Sequence, residues 1–396
     1  MKLLCVNAGS SSLKFQLYEM PEEISIISGY VEKIGATDSF YTIKFQGKKT
    51  ETAKPIKNHS EAVKVMLDEL INYGAVKELS EIKGVGHRVL HGGEKYADSV
   101  VITDEVLEDI KDLTKLGPLH HPGNIAGIEA MQKALPDAVQ AAVFDTAFHH
   151  TIPKVQYMYP VPMEWYEKYG VRKYGFHGTS HKYITETMKK KLGQENVNLI
   201  ICHVGSGASI TAVKDSQSYD TTMGLTPLDG LMMGTRSGSI DPSIIKYMID
   251  ESGMTYDEID TALNKKSGLL GICGKNDNRD VEQAIREGNE NARLALDMYV
   301  DRIVRYIAEY YLELGGKVDA IVFTAGVLEN GAETRASIIN ALAPLGIKLN
   351  ADVNNAIASF KEITSGIITA EDSTVPVYVE PTNEEVMIIR DTYKFC

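Results

Sequence analysis

The chain opens with a short apolar run that is followed by a turn of small polar residues. Residues 3–7 predict a buried strand, residues 8–12 (Ala-Gly-Ser-Ser-Ser) predict a tight turn, and residues 13–18 alternate as a half-buried strand does. A similar strand–turn–strand pattern recurs over residues 199–213. This repetition predicts two related halves that each begin with the same unit.

Apolar residues at helical spacing predict helices between and after these strands. The longest candidate is expected to break near Gly288, and the final helix is expected to begin with Thr382 as its N-cap. A strand over residues 318–323 precedes a small-residue turn at residues 324–326, and residues 37–58 predict a surface hairpin. Together these elements predict an α/β protein with a layered core. The helix candidates are residues 60–73, 104–116, 124–134, 180–192, about 281–314 and 382–394.

Composition narrows the class of protein. The chain has 396 residues, of which 43% are hydrophobic and 24% charged, so it can build about two full cores. Its net charge of −13 disfavours non-specific binding to nucleic acid or to an anionic membrane. The four cysteines are far apart and fit a reducing compartment, and no apolar run suits a membrane span or a signal peptide. We therefore expect a cytoplasmic protein without nucleic-acid or membrane partners.

The common nucleotide and zinc motifs are missing from the sequence. It contains no P-loop, no dinucleotide-binding Gly-x-Gly-x-x-Gly between strand and helix, and no His-Glu-x-x-His. It contains instead several short glycine-rich strings that hold histidine, arginine, aspartate and asparagine, and nine of the ten histidines lie between His87 and His203. The strings are residues 7–12, 86–93, 119–122, 144–149, 175–181, 203–209, 232–238 and 382–385.

These residue types suit the transfer of a phosphoryl group. Glycine and serine turns present backbone N–H groups to phosphate oxygens, and arginine matches a carboxylate or phosphate with two parallel hydrogen bonds. Asparagine and carboxylate oxygens suit Mg²⁺, and histidine can donate to a developing negative charge. Positioning and charge neutralisation supply most of the catalysis in such reactions.

Each string taken alone also has a structural explanation. Arg88 fits a surface or ion-pair arginine, Asp145 fits a helix cap, and Glu384 fits a first-turn helix charge. The pair His149 and His150 fits a structural role better than a catalytic one. The functional interpretation therefore depends on the strings occurring together.

Taken together, the strings resemble the acetokinase family of short-chain carboxylate kinases over nearly the whole chain. The most specific are residues 7–14, 174–181, 220–238 and 381–385. The resemblance implies a two-domain actin/Hsp70/hexokinase-like fold with a duplicated ribonuclease H-like core. Residues 1–148, completed by a C-terminal helix over residues 383–396, would form one domain, and residues 149–382 the nucleotide-binding domain, with the active site in the cleft between them.

The resemblance also implies an activity. Members of the family are homodimers that reversibly transfer the γ-phosphoryl group of ATP to acetate, giving acetyl phosphate and ADP. The expected metal is Mg²⁺, with Mn²⁺ as an alternative. An acetate-like carboxylate is already ionised at neutral pH, by analogy with side-chain carboxyls of pKa ~4, so direct in-line attack needs no general base.

Residue roles follow from matching positions in the family's motifs. Arg88, Asp145, His177 and Arg236 match its catalytic residues, and Asn7 and Glu384 match its metal site. The pocket for the methyl group of the acid matches Leu90, Leu119, Phe176 and Pro227. The phosphate and nucleotide sites match Lys14, His120, His203, Gly205, Ser206, Gly207, Asp277, Arg279, Gly326 and Asn330.

Four positions depart from the family's pattern. Ser206 replaces Asn, His121 replaces Asn, Ser239 replaces Asp, and Leu328 replaces Gly. The Leu328 side chain is expected to crowd the nucleotide or to need a glycine-like backbone angle, and Ser206 offers fewer hydrogen bonds than an amide. These changes raise the hypothesis of weaker nucleotide binding or of another phosphoryl donor, such as pyrophosphate.

Three other functions remain open at this point. A propionate kinase of the same family differs only in its substrate, although the bulk of Leu90 favours acetate. A non-catalytic ATP-switched module would share the fold, but the retained Arg88, Arg236, His177 and Glu384 argue against it. An actin-like polymer subunit would have to form filaments.

Overall fold

A computed structural model describes all of residues 1–396. The chain forms two compact units. The first unit consists of Met1–His150 together with Asn383–Cys396, and the second consists of Thr151–Thr382. No helix in the structure is both long enough and apolar enough to span a bilayer.

The first unit begins with eight strands and three helices. The strands are β1 (Lys2–Ala8), β2 (Ser12–Glu19), β3 (Ile24–Glu32), β4 (Phe40–Phe45), β5 (Lys48–Ala53), β6 (Ile82–Val89), β7 (Val100–Val101) and β8 (Val139–Phe144). The helices are α1 (His59–Asn72), α2 (Asp104–Asp112) and α3 (His121–Ala134), with short 3₁₀ segments at Leu79–Glu81 and Leu113–Leu116. The surface hairpin predicted over residues 37–58 is confirmed as β4 and β5, which pair antiparallel.

The eight strands form one sheet in the order β5-β4-β3-β2-β1-β6-β8-β7. β1, β2 and β3 form an antiparallel meander, whereas β6 runs parallel to β1 and β8 runs parallel to β6. The carboxyl ends of β1, β6 and β8 therefore lie at one edge of the sheet.

The second unit contains six strands and eleven helices. The strands are β9 (Leu199–Val204), β10 (Ala208–Lys214), β11 (Gln217–Thr221), β12 (Ala320–Thr324), β13 (Gly366–Ile367) and β14 (Val377–Val379). The helices are α4 (Lys154–Tyr157), α5 (Met163–Tyr169), α6 (Gly178–Leu192), α7 (Ser243–Ser252), α8 (Tyr256–Lys265), α9 (Gly268–Cys273), α10 (Asn278–Arg286), α11 (Glu290–Glu313), α12 (Ala325–Asn330), α13 (Ala332–Ala341) and α14 (Ala351–Ala356).

The second sheet repeats the topology of the first. Its order is β11-β10-β9-β12-β14-β13, with an antiparallel meander of β9, β10 and β11 and with β12 and β14 parallel to β9. Within each sheet the first strand of the meander thus pairs with the next parallel strand. The predicted α/β fold with a duplicated core is confirmed. The similar sequences near residues 3–18 and 199–213 form the first two strands of the two sheets.

The last helix, α15 (Glu384–Tyr393), belongs to the first unit. Along β1, the side chains of Leu4 and Val6 join the core beneath α1 and α3. α15 covers the opposite face, where a Cβ added to Gly86 of β6 would lie 2.3 Å from Oγ1 of Thr392. Successive side chains of a strand point to opposite faces of the sheet, and helices cover both of these faces. Glycine in β6 lets α15 approach closely.

One detail of the predicted elements is confirmed and two are wrong. The long helix candidate breaks as predicted at Gly288, whose φ is +87°, so that α10 and α11 are separate helices. The small-residue turn predicted after β12 is wrong, because α12 begins directly at Ala325, which adopts a φ of +67°. Asn383, not Thr382, caps α15, since its side chain accepts a hydrogen bond from the N–H of Val386.

His87 on β6 is a buried histidine, 3% exposed, whose Nε2 lies 2.8 Å from Oε1 of Gln140. Burial lowers its pKa from 6.5 to about 4, against the opposing effect of the Gln140 hydrogen bond. Between these values the unfolded chain binds a proton that the folded chain does not. The free energy of unfolding should therefore fall as the pH is lowered through this window, by on the order of 2–3 kcal/mol for this group.

The variant His87→Gln keeps a side-chain donor for Gln140 but cannot titrate. Urea unfolding of both proteins at several pH values should show a shallower loss of stability for the variant between about pH 6.5 and pH 4. Above about pH 8 the two proteins should have equal pH slopes, which serves as the internal control. Identical slopes across the acid range would contradict the assignment.

Candidate functional site

A cavity of about 290 Å³ opens at the carboxyl ends of β1 and β6 in the first unit. Strand pairing places Asn7 near the end of β1 and Arg88 near the end of β6, and β2 contributes Lys14. Six residues assigned from the sequence therefore lie around one space: Asn7, Lys14, Arg88, Leu90, Leu119 and His120. Leu90 is buried and Leu119 is 55% exposed, so the apolar wall has an inner and an outer part.

Arg88 and Asp145 form a bidentate ion pair beside this cavity. Nε of Arg88 donates to Oδ1 of Asp145 at 3.0 Å, and Nη2 donates to Oδ2. Asp145 is only 1% exposed. Burial opposes the charge of Arg88, but Asp145 and then Glu384 outweigh it, so the pKa of Arg88 is raised. Asp145 is therefore an ion-pair partner and not the helix cap that was its structural alternative.

Glu384, in the first turn of α15, has a perturbed carboxyl group. Its pKa is raised to about 7, first by burial and then by Asp145 and Glu385, while Arg88 and Lys14 oppose the shift. A bound cation would relieve this repulsion, and the oxygens of Asn7 and Glu384 are of the kind that Mg²⁺ prefers. No three His, Cys, Asp or Glu side chains are arranged to hold a metal. The donor set therefore fits an ion that takes its other ligands from substrate and water.

Asn124 on α3 was not predicted from the sequence as a site residue. Its Nδ2 donates to the carbonyl of Ala8 at 2.7 Å, and its Oδ1 accepts from the N–H of Leu90 at 3.1 Å. One buried amide thus joins the last residue of β1 to the residue that follows β6. The only sequence signal was an asparagine at the start of a helix candidate, which does not reveal two distant partners.

A second group of predicted residues gathers in the second unit around His177. This residue precedes α6 with a φ of +56°, and its ring stacks on that of His203 at 4.2 Å between centroids. Its Nδ1 lies 2.9 Å from Oγ of Ser209, which also lies 2.8 Å from Nε2 of His181. Ser209 and His181 were not among the predicted site residues, because their part depends on contacts between α6 and β10.

The turn between β9 and β10 brings the catalytic candidates of this unit together. The N–H of Gly205 donates to the carbonyl of Gly207 at 2.9 Å, and Ser206 lies exposed at the tip. A Cβ added at Gly207 would lie 3.3 Å from Nε2 of His177 and 3.5 Å from Nη1 of Arg236. These two donors therefore reach the same point on the glycine turn.

Arg236 differs from Arg88 because it has no carboxylate partner. Its Nη1 donates to the carbonyl of Pro227 at 3.1 Å and contacts Sδ of Met233 at 3.7 Å. Burial lowers its pKa. An arginine whose charge is not neutralised by the protein attracts an anionic ligand strongly. Phe176, also assigned to the acid pocket, is fully buried in this unit, whereas Pro227 is partly exposed.

The residues assigned to the nucleotide are more dispersed. Gly326 on α12 has open space where a Cβ would be, and its carbonyl accepts from Nδ2 of Asn330 at 2.9 Å. Asp277 caps α10 and pairs with Arg279 at 2.7 Å, and this ion pair lowers the pKa of Asp277. The Arg279 side chain is 85% exposed. This pair therefore lies at the surface, at the start of α10.

The expectation for Leu328 is wrong. Its side chain is 0% exposed, it lies within α12, and it does not adopt a positive φ, so it neither projects to the surface nor strains the backbone. The buried guanidinium of Arg335 donates to the carbonyls of Leu328 and Glu329 at 2.8 and 2.9 Å. His121 is likewise buried, with Nδ1 lying 2.9 Å from the carbonyl of Ile110.

Comparison with known proteins places this arrangement in a family. The profile of the Acetokinase family matches residues 2–390. The acetate kinase of Bacillus subtilis (strain 168) is 49% identical over 398 residues, covering 100% of this chain and 99% of that relative. The acetate kinase of Geobacillus sp. (strain WCH70) is 50% identical with the same coverage.

Solved structures agree with the sequence comparison. The crystal structure of Porphyromonas gingivalis acetate kinase matches with a TM-score of 0.93 and 42% identity, covering 99% of each chain. A propionate kinase from Francisella tularensis subsp. tularensis SCHU S4 matches with a TM-score of 0.94, 42% identity and the same coverage. The resemblance noted in the sequence motifs is confirmed. The chain therefore belongs to the acetokinase family, whose members are phosphotransferases that act on a carboxylate.

Proposed function

We propose that the protein reversibly transfers the γ-phosphoryl group of ATP to acetate, giving acetyl phosphate and ADP. The observation that carries this proposal is the approach of His177 Nε2 and Arg236 Nη1 to the same point on the turn at Gly207. A glycine turn, an arginine without a counter-ion and a histidine donor together suit a transferring phosphoryl group.

The reaction needs no general base. Acetate is ionised at neutral pH, since carboxyl groups have pKa values near ~4. One carboxylate oxygen forms a bond to the γ-phosphorus while the bond to the bridging oxygen breaks and its electrons leave with ADP. Arg236 neutralises charge on the transferring oxygens and His177 donates a hydrogen bond to them, which stabilises the transition state more than the ground state.

The first unit is proposed to bind the acid. The two hydrogen bonds to Asp145 fix the orientation of the Arg88 guanidinium group, so this group can in turn orient a carboxylate. Leu90 and Leu119 line this cavity and offer the acid's methyl group an apolar wall. Phe176 and Pro227 are the remaining candidates for contact with the acid. His120 and Lys14 line the same cavity and suit the oxygens of the phosphoryl group.

Mg²⁺, or Mn²⁺ in its place, is proposed to be held by Asn7 and Glu384. When bound, the ion would neutralise phosphate charge and orient the phosphoryl group. The raised pKa of Glu384, caused first by burial, supports a cation beside this carboxyl group.

The second unit is proposed to bind the nucleotide. The turn of Gly205, Ser206 and Gly207, together with His203, suits the phosphates, and Gly326 leaves open space for the nucleoside. Asn330, Asp277 and Arg279 are the remaining candidates. Because Leu328 is buried, only Ser206 still supports a change of phosphoryl donor.

Propionate kinase activity is the second candidate, favoured by the structural match to a propionate kinase.

A homodimer in the cytoplasm is also proposed. Apolar side chains of the second unit that are half or more exposed suit a partner surface, and all four cysteines are free, as in a reducing compartment. These apolar side chains include Val155, Met163, Tyr169, Tyr247 and Leu312.

The proposed activity is tested by trapping acetyl phosphate as its hydroxamate. Purified protein, Mg²⁺ and acetate are incubated with either ATP or pyrophosphate. Product is expected with ATP, because the glycine turn and Arg236 are intact. Product with pyrophosphate alone would show that Ser206 accompanies a change of donor, and no product with either donor would contradict the proposal.

The role of Arg236 predicts a large kinetic effect of its removal. Arg236→Ala should lower kcat by on the order of 10²–10³, as for other preorganised electrostatic groups, without unfolding the protein. Arg305→Ala is the matched control, because this arginine of α11 is 70% exposed and pairs only within its helix with Asp301. Near-normal turnover of the Arg236 variant would remove this residue from the mechanism.

The position of Leu90 predicts the choice of acid. The wild type should prefer acetate over propionate and propionate over butyrate, although one methylene is worth only ~1–3 kcal/mol. Leu90→Ala should raise kcat/KM for butyrate relative to acetate while leaving KM for ATP unchanged. Equal kcat/KM values for acetate and butyrate in the wild type would mean that Leu90 does not limit the pocket.

A further inference from the structure

The loop that carries Arg236 closes on itself at residues 230 and 239. The N–H of Ser239 donates to the carbonyl of Gly230 at 3.0 Å, and the N–H of Gly230 donates to Oγ of Ser239 at 2.9 Å. A Cβ at Gly238, whose φ is +69°, would lie 2.5 Å from the Gly230 carbonyl oxygen. The two ends of the loop therefore pack backbone against backbone.

The carboxylate of Asp229 joins these two ends. Its Oδ1 accepts from Oγ of Ser239 at 2.6 Å and from the N–H of Gly230 at 2.9 Å, and its Oδ2 accepts from the hydroxyl of Tyr159 at 3.2 Å. Three donors thus fix the orientation of one carboxylate at the base of the loop. Ser239, which departs from the family's usual Asp, serves here as one of those donors.

Tyr159 extends this network to the preceding segment, residues 225–229. Its hydroxyl donates to Asp229 and accepts from the N–H of Leu225 at 3.0 Å, so it joins the first and last residues of the segment. Gly224 leaves room for the hydroxyl, since a Cβ there would lie 2.1 Å from it. Burial and then Asp229 raise the pKa of Tyr159, which keeps the hydroxyl a donor.

Pro227, the middle residue of this segment, holds Arg236 through its backbone carbonyl. Nη1 of Arg236 donates to the carbonyl of Pro227, and no carboxylate holds the guanidinium group. The position of the arginine therefore depends on the position of the Pro227 carbonyl, which in turn depends on the segment that Tyr159 joins at both ends. Arg88 does not have this dependence, because Asp145 holds it directly.

We propose that Tyr159 and Asp229 are positioning residues that hold Arg236, through Pro227, in its catalytic orientation. This inference rests on the proposed phosphoryl transfer to acetate. It predicts that loss of either side chain lowers the rate of the chemical step, not the affinity for ATP.

The test is a double-mutant cycle in the hydroxamate assay with ATP, acetate and Mg²⁺. Tyr159→Phe should lower kcat about tenfold in the otherwise wild-type protein, since a displacement of about 1 Å can cost on the order of 10²-fold. In the Arg236→Ala background the same substitution should leave kcat unchanged, because the group that it positions is gone. KM for ATP should stay at the wild-type value in the Tyr159 variant.

Asp229→Asn provides a second variant, because it keeps the size of the side chain but cannot accept at both atoms. It should repeat the Tyr159→Phe pattern, and thermal unfolding of each variant checks that the fold is intact. Tyr41→Phe is the matched control: it removes a 3.3 Å hydrogen bond to Glu69 in the first unit and should leave kcat unchanged.

The outcomes separate this inference from the function on which it rests. A tenfold loss that disappears in the Arg236→Ala background supports the positioning role. An equal loss in both backgrounds, or no loss in either, overturns it while the wild type still forms acetyl phosphate. An inactive wild type overturns the proposed function and the positioning role with it.

Discussion

The ion pair of Arg88 and Asp145 is the interaction on which the first unit's cavity depends. Three parallel strands end at the same edge of the sheet, and they bring a buried carboxylate against an arginine that would otherwise be desolvated without a partner. Breaking such a pair by removing one partner typically costs about 3–5 kcal/mol. The same contact that stabilises the strand ends therefore also fixes the guanidinium group beside Asn7, Leu90 and His120.

Arg88 in the first unit and Arg236 in the second unit are held in position by different kinds of contact. In the first unit a carboxylate neutralises the cation and fixes it. In the second unit no carboxylate neutralises the cation, and the carbonyl of Pro227 and the loop framework around it hold the guanidinium group instead. Arg236 therefore attracts an anion more strongly than Arg88 does. Its position depends on several successive hydrogen bonds, and the loss of any one of them can disturb the geometry of the site.

The sequence predicted those features that local patterns determine. Apolar periodicity predicted seven of the fifteen helices, including all four that are longer than ten residues (α1, α3, α6 and α11). The repeated strand–turn–strand predicted the duplicated core, and the glycine-rich strings predicted the residues around both sites. It failed where a contact joins distant positions. Asn124 on α3 bonds to Ala8 and Leu90, and Leu328 lies inside the core although a conflict with the ligand was expected. Such partners are set by tertiary packing, which one sequence does not display.

The return of α15 to the first unit has a consequence for how the protein is made. All of Thr151–Thr382 is synthesised between the strands of this unit and the helix that covers them. Until that helix emerges from the ribosome, the face of β6 that bears Gly84 and Gly86 has no cover, and Glu384 is absent from the cavity region. The second unit can thus become compact during translation before α15 exists, whereas the first unit becomes complete only after α15 has been synthesised. A chain that stops before Asn383 therefore lacks both the helix that covers this face of β6 and the carboxyl group of Glu384.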